Sequence, residues 1–177
     1  MKIDKTTIEE NSLVTNFLPA DYVDVFGCVI NTSKRIDPAK ILFDMWNNQP
    51  KWVRFLFRLR DILVLPFGLK TGNKTLDTQK SFEDVIFNGK ELSIMKIPVR
   101  NENEIVLQLI DKHLTAELSI YSNLIADDKL KIVCATLVHY HNKLGVFYFF
   151  VIKPFHKIIV KSMLNIYYGT TESNQTF

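Results

Sequence analysis

The segment that most constrains the fold lies near the C-terminus. Residues 145–164 read Gly-Val-Phe-Tyr-Phe-Phe-Val-Ile-Lys-Pro-Phe-His-Lys-Ile-Ile-Val-Lys-Ser-Met-Leu. Tyr148, Ile152, Phe155, Ile159 and Met163 recur at helical spacing, broadened by Phe149 and Val160, while Lys153, Lys157 and Lys161 run along another side. A helix with so wide an apolar face has to bury it, and the strand-like runs before it are the surface available. Pro154 lacks the backbone donor and crowds the preceding turn, so the helix is expected to bend there. Gly169 is a stop signal, and residues 169–177 read as a disordered tail.

The preceding runs have the period of an antiparallel sheet. Residues 104–110 and 113–122 flank Asp111-Lys112. A two-residue turn pairing Ile110 with His113 puts Ile105, Leu107 and Leu109 on one face with Leu114, Ala116, Leu118 and Ile120. Gln108, Thr115, Glu117, Ser119 and Tyr121 fall on the other. One apolar and one polar face predict a sheet covered on one side. Ala126-Asp127-Asp128 reads as a turn. Residues 129–141 are apolar on both parities, as a central strand is.

Upstream, residues 1–20 read as an arm and 21–30 as a β-branched, aromatic strand. Asp37-Pro38 starts a helix reaching Asn47. A second helix, 51–65, carries Trp52, Phe55, Leu56, Leu59, Ile62 and Leu63 on one face. Residues 70–80 are polar and loop-like. Phe82–Phe87 reads as a short strand, turned by Asn88-Gly89 into a second strand over 91–99. The expected fold is α+β: a curved antiparallel sheet gripping a long C-terminal helix, with two short helices after the first strand, in one domain over 21–168.

The chain has 177 residues, enough for one sizeable core, and 13 Phe against 6 Gly favour large apolar side chains around a core or cavity. A net charge of +3 is too small to argue for nucleic acid. Cys28 and Cys134 form no CxxC pair and sit in strand-like runs, which suggests buried thiols and a cytoplasmic, reducing setting. No signal-peptide core opens the chain, and no window has the uncharged length of a transmembrane helix.

Five stretches together resemble a known family: Leu18-Pro-Ala-Asp-Tyr-Val-Asp-Val-Phe26, Pro50-Lys-Trp-Val-Arg-Phe-Leu-Phe-Arg-Leu-Arg-Asp61, Pro66-Phe-Gly-Leu-Lys70, Asp111-Lys-His-Leu114 and Lys153-Pro-Phe-His-Lys-Ile-Ile-Val160. They resemble a bacterial domain-of-unknown-function family that looks related to the START-like (SRPBCC) superfamily, whose fold is a helix grip. The resemblance implies a cavity between the sheet and the long helix. It implies no established activity.

The expected lining of such a cavity is Trp52, Leu107, Leu109, Ala116, Leu118, Phe149 and Ile152. Asp111, His113 and His139 are the polar candidates. Asp111-x-His113 can orient an imidazole, although hairpin chemistry accounts for the same pair. His139-x-His141 places two imidazoles on one strand face, but nothing in the sequence supplies a third metal ligand, so no metal and no cofactor are expected. His156 reads as a buried, hydrogen-bonded histidine. Lys51, Arg54, Arg58, Arg60, Lys153, Lys157 and Lys161 have the spacing of solvated helix faces. No phosphate loop, nucleophile elbow or zinc-protease motif is present. The leading expectation is a non-enzymatic module binding a small hydrophobic or lipid-like ligand, with no catalytic residue. The alternatives are a cyclase- or hydratase-type enzyme in the same cavity, and a protein acting at a partner or membrane surface through the basic faces.

Overall fold

Strand β6 (Lys129–Tyr140) lies between β2 (Tyr22–Asn31) and β5 (Leu114–Ala126) in a six-stranded antiparallel sheet ordered β1-β2-β6-β5-β4-β3. The computed structural model describes residues 3–48, 51–52, 79–92 and 94–173. The outer strands are β1 (Asp4–Lys5), β3 (Met95–Arg100) and β4 (Glu104–Ile110). The apolar character of β6 on both parities has its cause here. Leu130, Ile132, Cys134 and Val138 face the helices, while Val133, Ala135 and Leu137 pack on the outer face. Pro98 sits in the edge strand β3, where a missing donor is tolerated, and the pairing is irregular between Lys96 and Val99.

Helix α1 (Pro38–Asn47) starts as the sequence predicts: Asp37 accepts a hydrogen bond from Ala39 N at 2.8 Å and Pro38 fills the first turn. The expected helix over 51–65 lies outside the described residues, apart from Lys51 and Trp52, which are helical. Helix α2 (Gln79–Asn88) replaces the expected strand over Phe82–Phe87. Phe82, Val85 and Ile86 are at i, i+3 and i+4, and all three are buried against α1 and the sheet. Trp46 stacks on Phe82 with ring centroids 4.5 Å apart. Gly89, at φ 64°, ends this helix instead of turning a hairpin, and Lys90 N returns to the Asp84 carbonyl. An Asn-Gly pair serves either purpose, because both need a left-handed residue.

The β4–β5 register pairs Ile110 with Thr115, so the connection is Asp111–His113 and not two residues. The shift is two residues, which preserves parity. Leu107 therefore faces Leu118, and the predicted division of faces holds. The polar face is nevertheless not simply solvated. Residues before β2 cross it, with a 3-10 turn at Leu13–Phe17. Buried Val14 packs there with Val25, Val106, Val133, Ala135 and Leu137. Glu104, fully buried, accepts bonds from Ser12 Oγ, Leu13 N, Val14 N and Ser119 Oγ.

The C-terminal helix α3 (Lys143–Ser173) passes Gly169 without stopping. Its buried line is Gly145, Phe149, Val160 and Leu164, while Phe155 is 38% exposed. The inward stripe is thus turned by one residue, about 100°, from the predicted one. The first turn sets this phase. A Cβ at Gly145 would lie 2.0 Å from the His113 carbonyl oxygen, and Asn142 Oδ1 caps Gly145 N at 3.1 Å. Pro154 falls on an exposed side of the helix.

Candidate functional site

The phase of α3 places His156 on the inward side, over the start of β2. There Tyr22, Asp24 and Phe26 alternate onto the helix-facing side, paired respectively with Val138, Thr136 and Cys134 of β6. Asp24 and Thr136 are buried, at 3% and 5% exposure. The Tyr22 hydroxyl donates to Asp24 Oδ2 at 2.8 Å. Phe149 closes this end, 4.8 Å from the Tyr22 ring, 5.9 Å from Tyr140 and 6.3 Å from His156 between centroids. Lys153 Nζ lies 4.8 Å above the Tyr22 ring, and Lys161 Nζ 4.9 Å above Phe26. Two of the three helix lysines thus lie over aromatic rings of β2, laying their stems along the helix–sheet seam.

The electrostatics follow from burial. Desolvation lowers the His156 pKa; Asp24 opposes this and Lys157 adds to it. The ring is therefore neutral near pH 7. Its Nε2 is buried without a hydrogen-bond partner. Burial raises the Tyr22 phenol, and its bond to Asp24 raises it further. Cys28 is pushed up to about 11 and Cys134 to about 12, both first by burial, so both are thiols. A buried carboxylate, a phenol that donates to it and a neutral imidazole with an open nitrogen can together hold one polar group of a small molecule. They are also the components of proton transfer.

The expected site residues do not form one lining. Ala116 and Phe149 join Leu114, Val138, Tyr22, Tyr140 and Tyr148 beside this cluster. Leu107 is buried in the main core, with Leu109 and Leu118 packed against it, further along the sheet. Ile152 is half-buried on α3, and Trp52 is 41% exposed. The polar candidates lie elsewhere. Asp111 Oδ1 accepts from Lys112 N at 2.6 Å within the turn. His113 Nδ1 lies 3.2 Å from Asn142 Oδ1, where the turn docks on the first turn of α3. His139 pairs with Thr115 on the outer face, so it points away from the helix. None of the three is placed to meet a ligand between sheet and helix.

The sequence did mark His156 as buried, but as a hydrogen-bonded residue; its open Nε2 is the correction. Tyr22 and Asp24 were missed. The available signal was an acid within a strand whose other helix-facing positions, Phe26, Cys28 and Ile30, are apolar. An open depression of about 360 Å³ lies apart from this cluster, lined by Asp4, Lys5, Thr6, Gly27, Cys28, Val29 and Lys131 at the β1 edge. On the outer face, Glu117 is 1% exposed, accepts from Gln108 Nε2 at 2.9 Å and stands 3.3 Å from His139 Nε2. Among the described residues, no three His, Cys, Asp or Glu side chains converge as potential metal ligands. No helix of the described residues is long and apolar enough to cross a membrane.

These features define an α+β protein whose open antiparallel sheet is covered by a long C-terminal helix over a buried Tyr-Asp-His cluster. The chain matches, over residues 17–163, the family described as "Protein of unknown function (DUF2867)", and it belongs to that family. Comparison with curated proteins and with solved structures found no match.

Proposed function

We propose that the seam between the first half of α3 and strands β2 and β6 opens to bind a small, largely apolar molecule through a single polar group. The observation that carries this reading is the buried, unpartnered Nε2 of His156, held above the buried carboxylate of Asp24. Buried polar atoms nearly always have partners, and an orphan costs about 1–3 kcal/mol. A ligand hydroxyl, carbonyl or carboxylic acid at this point would recover that cost. Phe149, Tyr140, Val138, Ala116 and Leu114 offer the apolar contact for the rest of the molecule. The resemblance to the START-like superfamily supports the same place, since a helix grip holds its ligand between sheet and C-terminal helix.

Thermal unfolding against a panel of fatty acids, isoprenoid alcohols and sterols tests this. A ligand at 100-fold its Kd stabilises by about 2.7 kcal/mol, a rise of about 5–11 °C in Tm for a chain of this size. His156→Leu, which removes the orphan atom, is expected to keep the fold and lose the shift. The reading fails if no compound of the panel shifts the wild type, or if His156→Leu responds equally. A second reading, cyclase- or hydratase-type chemistry in the same place, is favoured by the presence of an acid, a phenol and a neutral imidazole in one cluster. It requires turnover of the bound molecule that Asp24→Asn stops while binding persists.

A further inference from the structure

The outward side of α3 is apolar for several turns. Phe147, Phe150, Phe155 and Ile158 are exposed, Phe150 at 74% and Ile158 at 55%, and Pro154 is exposed among them. At about 100° per residue they fall on the side of the helix away from the buried line of Gly145, Phe149, Val160 and Leu164. Half-buried Val151 belongs to the same stripe. Phe147 and Ile158 stand about 16 Å apart along the axis. Single apolar side chains at a surface are ordinary, but a continuous stripe rich in aromatic rings marks a surface that something covers.

The charges along this helix have one sign. Residues 143–165 hold Lys143, Lys153, Lys157 and Lys161 and no Asp or Glu. Lys153 and Lys161 lie over the Tyr22 and Phe26 rings, which holds their stems on the flank above β2. The helix period puts Lys143 and Lys157 on that flank too. A row of cations therefore borders the apolar stripe along one edge. A helix resting in a bilayer interface has this arrangement: rings enter the acyl boundary, and lysine stems reach along the helix to bring their ammonium groups to the phosphates. The helix is not long and apolar enough to cross a membrane, so the contact is with its surface. The same face of a second copy of the chain would bring four more lysines and no acid to answer them.

We propose that α3 docks on an anionic lipid bilayer. The helix lies in the plane of the interface, with Phe147, Phe150, Phe155 and Ile158 inserted and Lys143, Lys157 and Lys161 on headgroup phosphates. Each lysine held near an anionic surface raises partitioning about fivefold, so the three together contribute about 100-fold. That share is screened by salt, whereas the share from the inserted rings is not. The inserted residues lie on the opposite side of the helix from His156, so this surface does not depend on the ligand seam.

Flotation of the full chain with phosphatidylcholine vesicles, with and without phosphatidylglycerol, tests the proposal. The wild type is expected to float with the phosphatidylglycerol vesicles at low salt and to be largely released at high salt. Phe150→Ser and Ile158→Ser combined are expected to lower the partition coefficient at least about tenfold, and Lys143→Ala, Lys157→Ala and Lys161→Ala combined about 100-fold. None of these side chains is buried, and circular dichroism checks that each variant is folded. His156→Leu is expected to float like the wild type, which separates this result from the ligand reading. A wild type that floats with neither vesicle, equal flotation on phosphatidylcholine alone, or binding that survives the Phe150→Ser, Ile158→Ser pair overturns the proposal. So does a dimer in sedimentation equilibrium that this pair abolishes, because a second copy then covers the stripe.

Discussion

Replacing Glu104 by Ala should release the segment that crosses the outer face. Its carboxylate is the common acceptor for Ser12 Oγ, Leu13 N, Val14 N and Ser119 Oγ. Hydrogen bonds to a charged acceptor net about 1.5–3 kcal/mol each, so four would sum to about 6–12 kcal/mol if nothing relaxed. The segment can relax. By lifting from the sheet, it returns Ser12, Leu13 and Val14 to water. What cannot be recovered is the partner of buried Ser119, about 1–3 kcal/mol, and the burial of Val14, about 1.5–3 kcal/mol. Relief from burying a carboxylate offsets part of this. The expected loss is about 3–5 kcal/mol, or about 6–20 °C in Tm for a chain of this size. Urea unfolding gives the energy, and hydrogen exchange locates it, since the Leu13 and Val14 amides should lose protection before the sheet does. A loss below about 1 kcal/mol with both amides still protected would refute the clamp.

Three further outcomes follow from the same structure. The lowered pKa of His156, caused first by burial, makes stability pH-dependent: above its unfolded value of about 6.5 the ring is neutral in both states, and as pH falls through that value only the unfolded chain takes the proton. Stability should therefore drop by up to about 1.4 kcal/mol per pH unit below pH 6.5, and in urea titrations His156→Leu should remove that component; an unchanged slope would contradict it. Cys28 and Cys134, pushed up to about 11 and about 12, should resist a thiol reagent at pH 8 in native protein and react fully in denaturant. Gly145→Ala should cost about 3 kcal/mol or more by urea unfolding, because its Cβ would meet the His113 carbonyl at 2.0 Å, whereas Gly89→Ala should cost only about 1–2 kcal/mol for its φ of 64° in open space.

Which parts were legible in the sequence depends on whether a pattern has one physical meaning. The two-sided apolarity of β6 fits only a covered strand, and Asp37-Pro38 reads only as a helix start. Face assignment in β4 and β5 survived a register error because the error was even. Phe82, Val85 and Ile86 were misread because a short apolar run fits strand and helix alike, and Asn88-Gly89 ends either. The candidate site was less legible. Whether His156 faces inward depends on the phase of α3, which a tertiary contact, Gly145 on the His113 carbonyl, determines. Which side of the sheet His139 takes depends on pairing with β5, and Glu117 reaches it only across that pairing. No local pattern carries either fact.

The most direct test of the central claim is native mass spectrometry of gently purified protein, followed by His156→Leu prepared in parallel. The account predicts an additional non-protein mass on the wild type, released on denaturation and identified as a largely apolar molecule with one polar group, and its loss from the variant. A wild type that carries no such mass after exposure to a whole-cell lipid extract, with packing closed between α3 and strands β2 and β6, would contradict it.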